Sequence, residues 1–431
     1  MKFWSVVLSL VAAQFPLQAG VADVRYRVVH LEMPEQNTNF LFTTGFTIND
    51  SGTVVGLVDR RYETPYPSGS IKGLFVYTEE GGFQEIGPYE GTSTQPSRIN
   101  DHGQAAVMSW TSYETNGVWV PVWHAVRYTP GIGLEQLGDL GGVYTRAVGI
   151  NSHGDVVGTA SDQATNYFDY AHAFHYSDKH GMVDLGTFGG ISAAAVDIND
   201  DGWICGGYLV PGVGYTGWIY HEWAGMIPMG PGVVGRINEQ RVVVQSGYDL
   251  YAVLVFPDGR RVPMRSSPEV TYDWFIGDLN DWNVVVDTSL RPVANNPFGV
   301  PIGSIWTERE GMRDLNRLID TNSGWFINYA LDINNHGQIS GAAIKERQQL
   351  AIRLDPIPPK PSIVCEGTNV VVSWIPAWPG VAVESSISIN STNWSAVPPG
   401  VTNHVTIPRT EGTRFYRLNL EALRGLCCAP E

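Results

Sequence analysis

Basic residues are scarce in this chain of 431 residues, which has 27 Lys and Arg against 43 Asp and Glu and a net charge of −16. A surface this negative repels phosphate backbones, so we expect no nucleic-acid partner. Long apolar runs are scarce too. Beyond the N-terminus no stretch reaches the roughly 18 apolar residues of a membrane helix, so we expect no membrane span.

Familiar catalytic and metal-binding motifs are also missing. There is no G-x-S-x-G, and "HEW" at 221–223 lacks the second His of a zinc-protease helix. "DINDDG" at 197–202 begins like a calcium loop, but Tyr208 stands at the twelfth position, where a bidentate Glu belongs. His172 and His175 would point to opposite faces of a strand and cannot share a metal. We expect no metal and no cofactor.

Only four cysteines are present. Cys205 lies in an apolar strand pattern and is expected to be a core thiol. Cys427 and Cys428 are adjacent and cannot pair easily with each other. Cys365 with either of them is the disulfide candidate, and it would join the two ends of a C-terminal module.

The first 22 residues have the pattern of a secretory signal peptide. "MKFWSVVLSLVAAQFPLQAGVAD" has one Lys, an apolar run and then small residues, with cleavage expected between Ala19 and Ala22. A buried N-terminal strand is the alternative. No Cys follows the apolar run, so no lipid anchor is indicated. We expect an exported, soluble monomer in the extracellular space, the periplasm or the cell surface.

What the chain has in abundance is one nine-residue motif. "INDSGTVVG" at 48 recurs as "INDHGQAAV" at 99, "INSHGDVVG" at 150, "INDDGWICG" at 198 and "INNHGQISG" at 333, with looser copies at 237 and 279. The copies define repeats 1 to 7. Their spacing of 39 to 54 residues is typical of propeller blades or helical solenoids. Short β-rich runs broken by Gly, Asn, Asp and Pro exclude the solenoid.

Repeat 3 predicts four strands, a to d: "RAVGIN" (146–151), "DVVGTAS" (155–161), "HAFHYS" (172–177) and "GMVDLG" (181–186). "NSHG" forms the hairpin turn between the first two. Strands a and c occur seven times but strand d only six times. "VRYRVVHLEMP" (24–34) is a lone strand that would complete the last repeat and remove the open edges. We predict an all-β fold, a seven-bladed β-propeller over residues 23–357 that is closed by this N-terminal strand.

Residues 172–208, "HAFHYSDKHGMVDLGTFGGISAAAVDINDDGWICGGY", resemble the HAF repeat of bacterial extracellular repeat proteins. The resemblance extends over about 330 residues and is strongest in repeats 3 and 4. It implies an extracellular location and a repeat fold. The family carries no assigned reaction, so the resemblance implies no catalytic residues.

After the linker "DPIPPKP" (355–361), residues 362–423 alternate apolar with polar residues, which predicts a small β-sandwich module over residues 358–431. "VESSISINSTNWSAVP" and "TRFYRL" resemble the fibronectin-III-like or Ig-like modules at the C-termini of secreted bacterial proteins. Trp374 would be the core aromatic and Tyr416 the aromatic at a strand end. Such a module could serve as a spacer, an attachment or sorting device, or a cap that adds stability.

Long and individual loops are confined to one rim of the predicted ring, because the connections b–c and d–a lie on the same side. Aromatic residues are concentrated there, and flat rings suit stacking on sugars or contact with a protein. Some should pack inward. The candidate ligand-binding residues are Tyr62, Tyr66, Tyr89, Trp119, Tyr144, Tyr167, Tyr170, Tyr215, Trp274 and Trp325.

Charged residues precede the "IN" motif in five of the seven repeats, on the innermost strand. Buried charges must be paired, so an axial polar ring of Arg–Asp bridges is expected. The alternative is a channel floor that binds an ion or an anionic group through its arginines. The ring residues are Arg98, Asp197, Arg236, Asp278 and Asp332.

Two functions remain open. The favoured one is a secreted binding or interaction scaffold that recognises a glycan or a cell-surface protein through the aromatic loops. The alternative is a secreted enzyme on polysaccharide, a glycoside hydrolase or a lyase, with Glu63, Glu90 or Glu114 transferring protons. A hydrolase needs two carboxylates ~5–10 Å apart in a cleft. The regular repeat and the missing catalytic motifs favour binding.

Overall fold

The computed structural model describes residues 25–34, 40–61, 70–89, 93–115, 118–162, 170–246, 252–265, 267, 270, 276–293, 296–366, 369–375, 381–386, 394–397, 404–408 and 414–419. Within these ranges the fold is all-β, which confirms the predicted class, and short 3-10 turns such as Leu315–Arg317 are the only helical elements. No helix in the same ranges is long and apolar enough to span a membrane.

The strands of the repeat region follow one another closely. They are β1 (Tyr26–His30), β2 (Phe40–Ile48), β3 (Val54–Arg61), β4 (Ser70–Thr78), β5 (Gly82–Gly87), β6 (Ser93–Ile99), β7 (Ala105–Thr115), β8 (Val118–Thr129), β9 (Gly133–Gln136), β10 (Thr145–Ile150), β11 (Val156–Ser161), β12 (Ala171–Ser177), β13 (Gly181–Gly186), β14 (Ser192–Ile198), β15 (Ile204–Val210), β16 (Gly214–His221), β17 (Gly225–Pro231), β18 (Val233–Ile237), β19 (Val243–Ser246), β20 (Ala252–Val255), β21 (Arg261–Met264), β22 (Ile276–Leu279), β23 (Val285–Val293), β24 (Asn296–Thr307), β25 (Gly311–Asp314), β26 (Phe326–Ile333), β27 (Ile339–Lys345) and β28 (Gln348–Pro356).

These strands form four-stranded antiparallel sheets in chain order: β2–β5, β6–β9, β10–β13, β14–β17, β18–β21 and β22–β25. The sheet of β26, β27 and β28 takes its fourth strand from the N-terminus, since β1 pairs with β28. The first strand of each sheet packs on the preceding sheet, and β2 packs on β26, β27 and β28. The arrangement is therefore propeller-like.

A β-bulge interrupts the first strand of every one of these sheets just before the residue that precedes "IN". A bulge re-aims the side chains that follow it. The repeated register shift explains how the residue before each "IN" comes to face the axis. The shifts fall between Gly45 and Thr47, Pro96 and Arg98, Ala147 and Gly149, Ala195 and Asp197, Val234 and Arg236, Ile276 and Asp278, and Ala330 and Asp332.

The glycine of the "VVG" segment has a packing reason. In repeat 3, Gly158 is paired across the sheet with Phe174, whose side chain is fully buried. A Cβ on Gly158 would lie 1.9 Å from the carbonyl oxygen of Arg146 and 2.9 Å from Cε1 of Phe174. Gly206 bears the same relation to Trp218. The glycine therefore lets the large aromatic of the third strand lie against the second.

The C-terminal strands are β29 (Lys360–Glu366), β30 (Asn369–Ile375), β31 (Ala382–Ser386), β32 (Ser395–Ala396), β33 (His404–Pro408) and β34 (Phe415–Asn419). They form two three-stranded sheets, β29-β30-β33 and β32-β31-β34. Trp374, the expected core aromatic, is 3% exposed and packs with Val372, Val383 and Val405. Tyr416 packs on the edge of this cluster. Val381 contacts both this core and the apolar cluster under β26.

Two sequence predictions fall mainly outside the described residues. The signal peptide, residues 1–22, is one of them. In the disulfide candidate, Cys365 is a half-buried residue of β29, whereas Cys427 and Cys428 lie outside the described ranges. Cys205 is fully buried on β15, where burial raises the pKa of its thiol.

Candidate functional site

The asparagines of the seven "IN" motifs form a closed cycle of hydrogen bonds. Each donates from Nδ2 to the backbone carbonyl of the equivalent Asn in the next repeat, at 2.9–3.3 Å. Each Oδ1 also accepts from the backbone N–H four residues further on, which closes the local turn. One side chain thus closes its own turn and ties it to the next repeat. The cycle runs through Asn49, Asn100, Asn151, Asn199, Asn238, Asn280 and Asn334.

A second set of bonds links the residues that follow these asparagines. In six of the seven steps, the backbone N–H of one residue is donated to the side-chain oxygen of its counterpart in the next repeat, at 2.7–3.1 Å. We call this set the turn-face collar. It consists of Asp50, Asp101, Ser152, Asp200, Glu239, Asp281 and Asn335.

The carboxylates of the collar are crowded. Burial, followed by the charges of Asp200, Asp281 and Asp201, raises the pKa of Glu239 to about 7, although the backbone N–H of Asp200 acts in the opposite direction. Burial likewise raises the pKa of Asp101 and that of Asp281. The crowding of the collar therefore favours the protonated form of these carboxyl groups, most of all that of Glu239.

The axial polar ring lies beneath the collar. Arg98 Nη1 donates to Asp278 and, at 2.8 Å, to Asp332, while its Nη2 lies 3.4 Å from Asp197. Arg236 donates from Nε to the carbonyl of Gly277 at 2.9 Å, and the same nitrogen lies 3.4 Å from Asp278. The structure thus brings all five predicted ring residues together.

Neutrality of this ring requires one proton. Three carboxylates face two guanidinium groups, and burial together with nearby Asp332 raises the pKa of Asp278 in spite of Arg98. Both terminal nitrogens of Arg98 contact ring carboxylates. This geometry fits the paired ring and gives no support to the alternative of an anion site built on Arg98 and Arg236.

The acceptors of the ring also bind backbone. The side chains of Asp197, Asp278 and Asp332 each accept the N–H of the "IN" isoleucine in the following repeat, at 2.9–3.3 Å. Thr47 accepts the N–H of Ile99 in the same way at 3.1 Å. The side chain before "IN" therefore joins neighbouring sheets wherever it can accept a hydrogen bond.

A cavity of about 290 Å³ is lined by the collar and by four residues of the axial ring, Arg98, Asp197, Asp278 and Asp332. It opens among the turns between the first and second strands of each sheet, the face that we call the turn face. Its walls carry five collar carboxylates, so it repels anions. The sequence predicted the charges at its floor but not the collar, because the collar depends on backbone donors that a sequence does not display.

The aromatic candidates were predicted for the opposite, loop face, and only those within the described residues can be placed. Tyr62, Tyr66, Tyr167 and Trp274 lie outside the described residues, and Trp119 is described only as backbone on β8. Tyr170 and Tyr215 are 53% and 49% exposed.

Three other candidates pack against the body of the protein: Tyr144 is buried, which corrects the expectation for that residue, whereas Tyr89 and Trp325 are partly buried. Tyr144 is 3% exposed, with its ring 5.9 Å from that of Trp123, because the backbones of these two residues form a bridge. Tyr89 packs on the apolar cluster beside Leu74. Trp325 packs on the cluster under β26, with the Lys345 ammonium 4.6 Å from its ring centroid.

The loop face also carries His172, which the sequence analysis considered only as a possible metal ligand. His172 Nδ1 lies 2.9 Å from Oδ2 of Asp184, and Nε2 lies 3.9 Å from Asp162. Since a carboxylate only accepts, Nδ1 carries the proton in that hydrogen bond. The sequence offered one signal of this pair, a histidine followed twelve positions later by an acidic residue. His124 with Gln136 has the same spacing in repeat 2.

No family model and no curated protein matches this chain. Among solved structures, Pyrococcus horikoshii acylaminoacyl peptidase is similar at a TM-score of 0.48 and 7% identity, covering 78% of this chain and 58% of that one. A puromycin hydrolase is similar at a TM-score of 0.46 and 10% identity, covering 84% of this chain and 61% of that one. Trypanosoma rangeli sialidase is similar at a TM-score of 0.35 and 9% identity, covering 78% of this chain and 59% of that one. The chain spans about three fifths of their length. With TM-scores below 0.5, these resemblances transfer no activity, substrate or partner to it.

Proposed function

We propose that the chain is a secreted bacterial repeat protein of the HAF type. Residues 23–357 form a seven-bladed β-propeller, and residues 358–431 form a fibronectin-III-like module. The pairing of β1 with β28, from Tyr26 with Pro356 to His30 with Ile352, supports closure of the ring by the N-terminal strand. The hydrogen bond from Asn334 to Asn49 supports it independently.

Within this fold, the protein acts as a binding scaffold that recognises a glycan through its loop face. One contrast carries this proposal. The axial charges are paired with one another, whereas Tyr170 and Tyr215 hold about half of their surface open to solvent on the loop face. Exposed aromatic rings are the surfaces on which sugars stack. A cell-surface protein bound at the same loops is the competing outcome.

A glycan array probed with the secreted protein tests the proposal. The double variant Tyr170→Ala, Tyr215→Ala should lose at least about tenfold in affinity, equivalent to about 1.4 kcal/mol. Ile132→Ala is the matched control, because Ile132 is 69% exposed in the turn between β8 and β9 on the opposite face. An array without signal, together with cell binding that the double variant abolishes, would replace the glycan by a protein partner.

A polysaccharide-cleaving enzyme is the second candidate, and His172 is the observation that favours it. Its ring is fixed by Asp184 in one tautomer, and exposed Tyr170 is only two residues away. A histidine held in this way can abstract or donate a proton. The side chains of Glu63, Glu90 and Glu114, the acids first considered, lie outside the described residues.

An assay for new reducing ends on neutral and uronate-containing polysaccharides separates the two candidates. Activity that His172→Ala abolishes, and that Ile132→Ala leaves intact, would establish the enzyme. No release of reducing ends by protein that binds the glycan array would leave the scaffold as the function.

A further inference from the structure

Trp223 is an unusual residue for its position. It lies in the hairpin turn between β16 and β17, on the turn face, and 75% of its surface is exposed. Because so little of the indole is buried, the ring adds little to the stability of the core. The packing of repeat 4 therefore gives no reason for a tryptophan here.

The exposed indole is nevertheless held in place. Its ring meets that of Trp203 edge to face, with centroids 5.6 Å apart at 85°, and lies 5.1 Å from the ring of His221. The backbone N–H of Trp223 is donated to Nδ1 of His221 at 3.3 Å. The other nitrogen, Nε2, then carries the proton and donates to the carbonyl of Asp201 at 2.9 Å.

The residues beneath Trp223 depart from the repeat. Trp203 is 5% exposed, at a position where the other repeats have Thr53, Gln104, Asp155, Val242, Val284 and Gln338. Arg241 stands where five repeats have glycine, and it keeps the left-handed backbone (φ 60°) that glycine adopts freely. Its guanidinium lies 5.2 Å from the centroid of Trp203.

These departures from the repeat come from three separate turns of repeats 4 and 5, and the residues concerned lie together beneath Trp223. A strained arginine and two tryptophans are not needed to form turns that glycine and small polar residues form elsewhere in the ring. Strain of this kind is commonly kept where a site requires it. We call Trp223, Trp203, His221 and Arg241 the Trp223 platform.

We propose that the Trp223 platform binds a neutral pyranose ring of a glycan, as a second site on the face opposite to the loops. A preorganised indole offers a flat apolar surface for the C–H face of a sugar. Carboxylates accept hydrogen bonds from sugar hydroxyls, and Glu222 and Asp201 beside the platform are both exposed.

Charge and size select this ligand class. The protein carries a net charge of −16, and the five collar carboxylates lie on the same face, so an anionic sugar would be repelled. A protein partner needs roughly 800 Å² of contact on each side. A single indole bordered by carboxylates suits one sugar ring better than an interface of that size.

Titration of the full-length protein with cellohexaose, mannohexaose, xylohexaose and maltohexaose, followed by saturation-transfer NMR, tests the proposal. At least one of these hexasaccharides should bind with a Kd of about 1 mM or below. Trp223→Ala should weaken that binding at least about tenfold, and Trp223→Phe should retain part of it. The exposed position of Trp223 should allow both variants to fold.

Ile132→Ala is the matched control, because Ile132 is 69% exposed in another hairpin turn of the same face. If Trp223→Ala weakens binding and Ile132→Ala does not, the platform is a sugar site whatever the loop face binds. Failure of all four hexasaccharides to bind at about 10 mM would overturn the proposal, as would equal binding by Trp223→Ala and the wild type. A change in sedimentation of Trp223→Ala would instead assign the ring to a contact between two copies of the chain.

Discussion

The two faces of the ring use the same repeat in opposite ways. On the turn face, every repeat contributes an asparagine to a single hydrogen-bonded cycle, and a copy can differ only where it keeps that donor and acceptor. On the loop face, the connections between strands range from the single residue Gly232 between β17 and β18 to the stretch 315–325 between β25 and β26, and no comparable cycle links the described residues there. Regularity therefore marks the residues that hold the ring together, and variation marks the positions that are free to acquire ligands, on the loop face and at the Trp223 platform.

We expect the largest loss of stability from opening the ring, because both faces depend on its closure by β1. Deletion of residues 25–34 removes β1, exposes the edge of β28 and takes away the buried side chains of Tyr26 and Leu31. It also removes the ion pair from Arg25 to Glu310, 2.7 Å long. Two such side chains contribute about 1.5–3 kcal/mol each, a large share of a total stability of about 5–15 kcal/mol.

We expect the shortened protein to aggregate or to melt far below the full-length chain in a thermal unfolding scan. The matched change is Arg27→Ala, which removes one β1 contact at a side chain that is 72% exposed and should cost under about 1 kcal/mol. A deletion variant as stable as the wild type would show that β1 is not part of the closed ring.

The second largest effect on stability distinguishes the turn face from the loop face. Asn151→Ala removes a donor to the carbonyl of Asn199 and the acceptor for the N–H of Asp155, in a residue that is 3% exposed. The carbonyl of Asn199 and the N–H groups of His153 and Asp155 each lose a hydrogen bond, so we expect a loss of about 2–4 kcal/mol in the free energy of unfolding by urea. Tyr215→Ala on the loop face should change that free energy by less than about 0.5 kcal/mol. Equal losses would mean that the asparagine cycle adds nothing to the ring.

The sequence predicted the turn face far better than the loop face. The positions of the seven "IN" motifs fixed the innermost strands, their turns and the axial charges, because the period places equivalent residues at equivalent points. The asparagine cycle itself was missed, since its acceptors are backbone carbonyls. Tyr144 was assigned to the ligand surface as one of the aromatic residues of the loop rim, but its backbone pairs with Trp123 and its ring is buried. The Trp223 platform was missed because its members come from three turns that lie apart in the sequence.

The smallest expected effect is on the pH dependence of stability, and it involves the turn face alone. Burial and the neighbouring carboxylates raise the pKa of Glu239 to about 7, from 4.5 in the unfolded chain. Between these values the folded state binds more protons than the unfolded state, so stability falls as the pH rises from about 4.5 to 7. Glu239→Gln keeps an acceptor for the N–H of Asp200 without the charge. Because this carboxylate is partly open to solvent, we expect the variant to gain only on the order of 1 kcal/mol in free energy of unfolding at pH 8 and nearly nothing at pH 4.

Glu80→Gln is the control, because Glu80 is an exposed carboxylate in the turn between β4 and β5, outside the collar. It removes the same charge and should leave the difference in stability between pH 4 and pH 8 as it is in the wild type. Urea unfolding of the three proteins at both pH values measures this. A Glu239→Gln variant that keeps the full pH slope of the wild type would show that the crowding of the collar does not oppose folding, and the turn face would then be held together without any electrostatic cost.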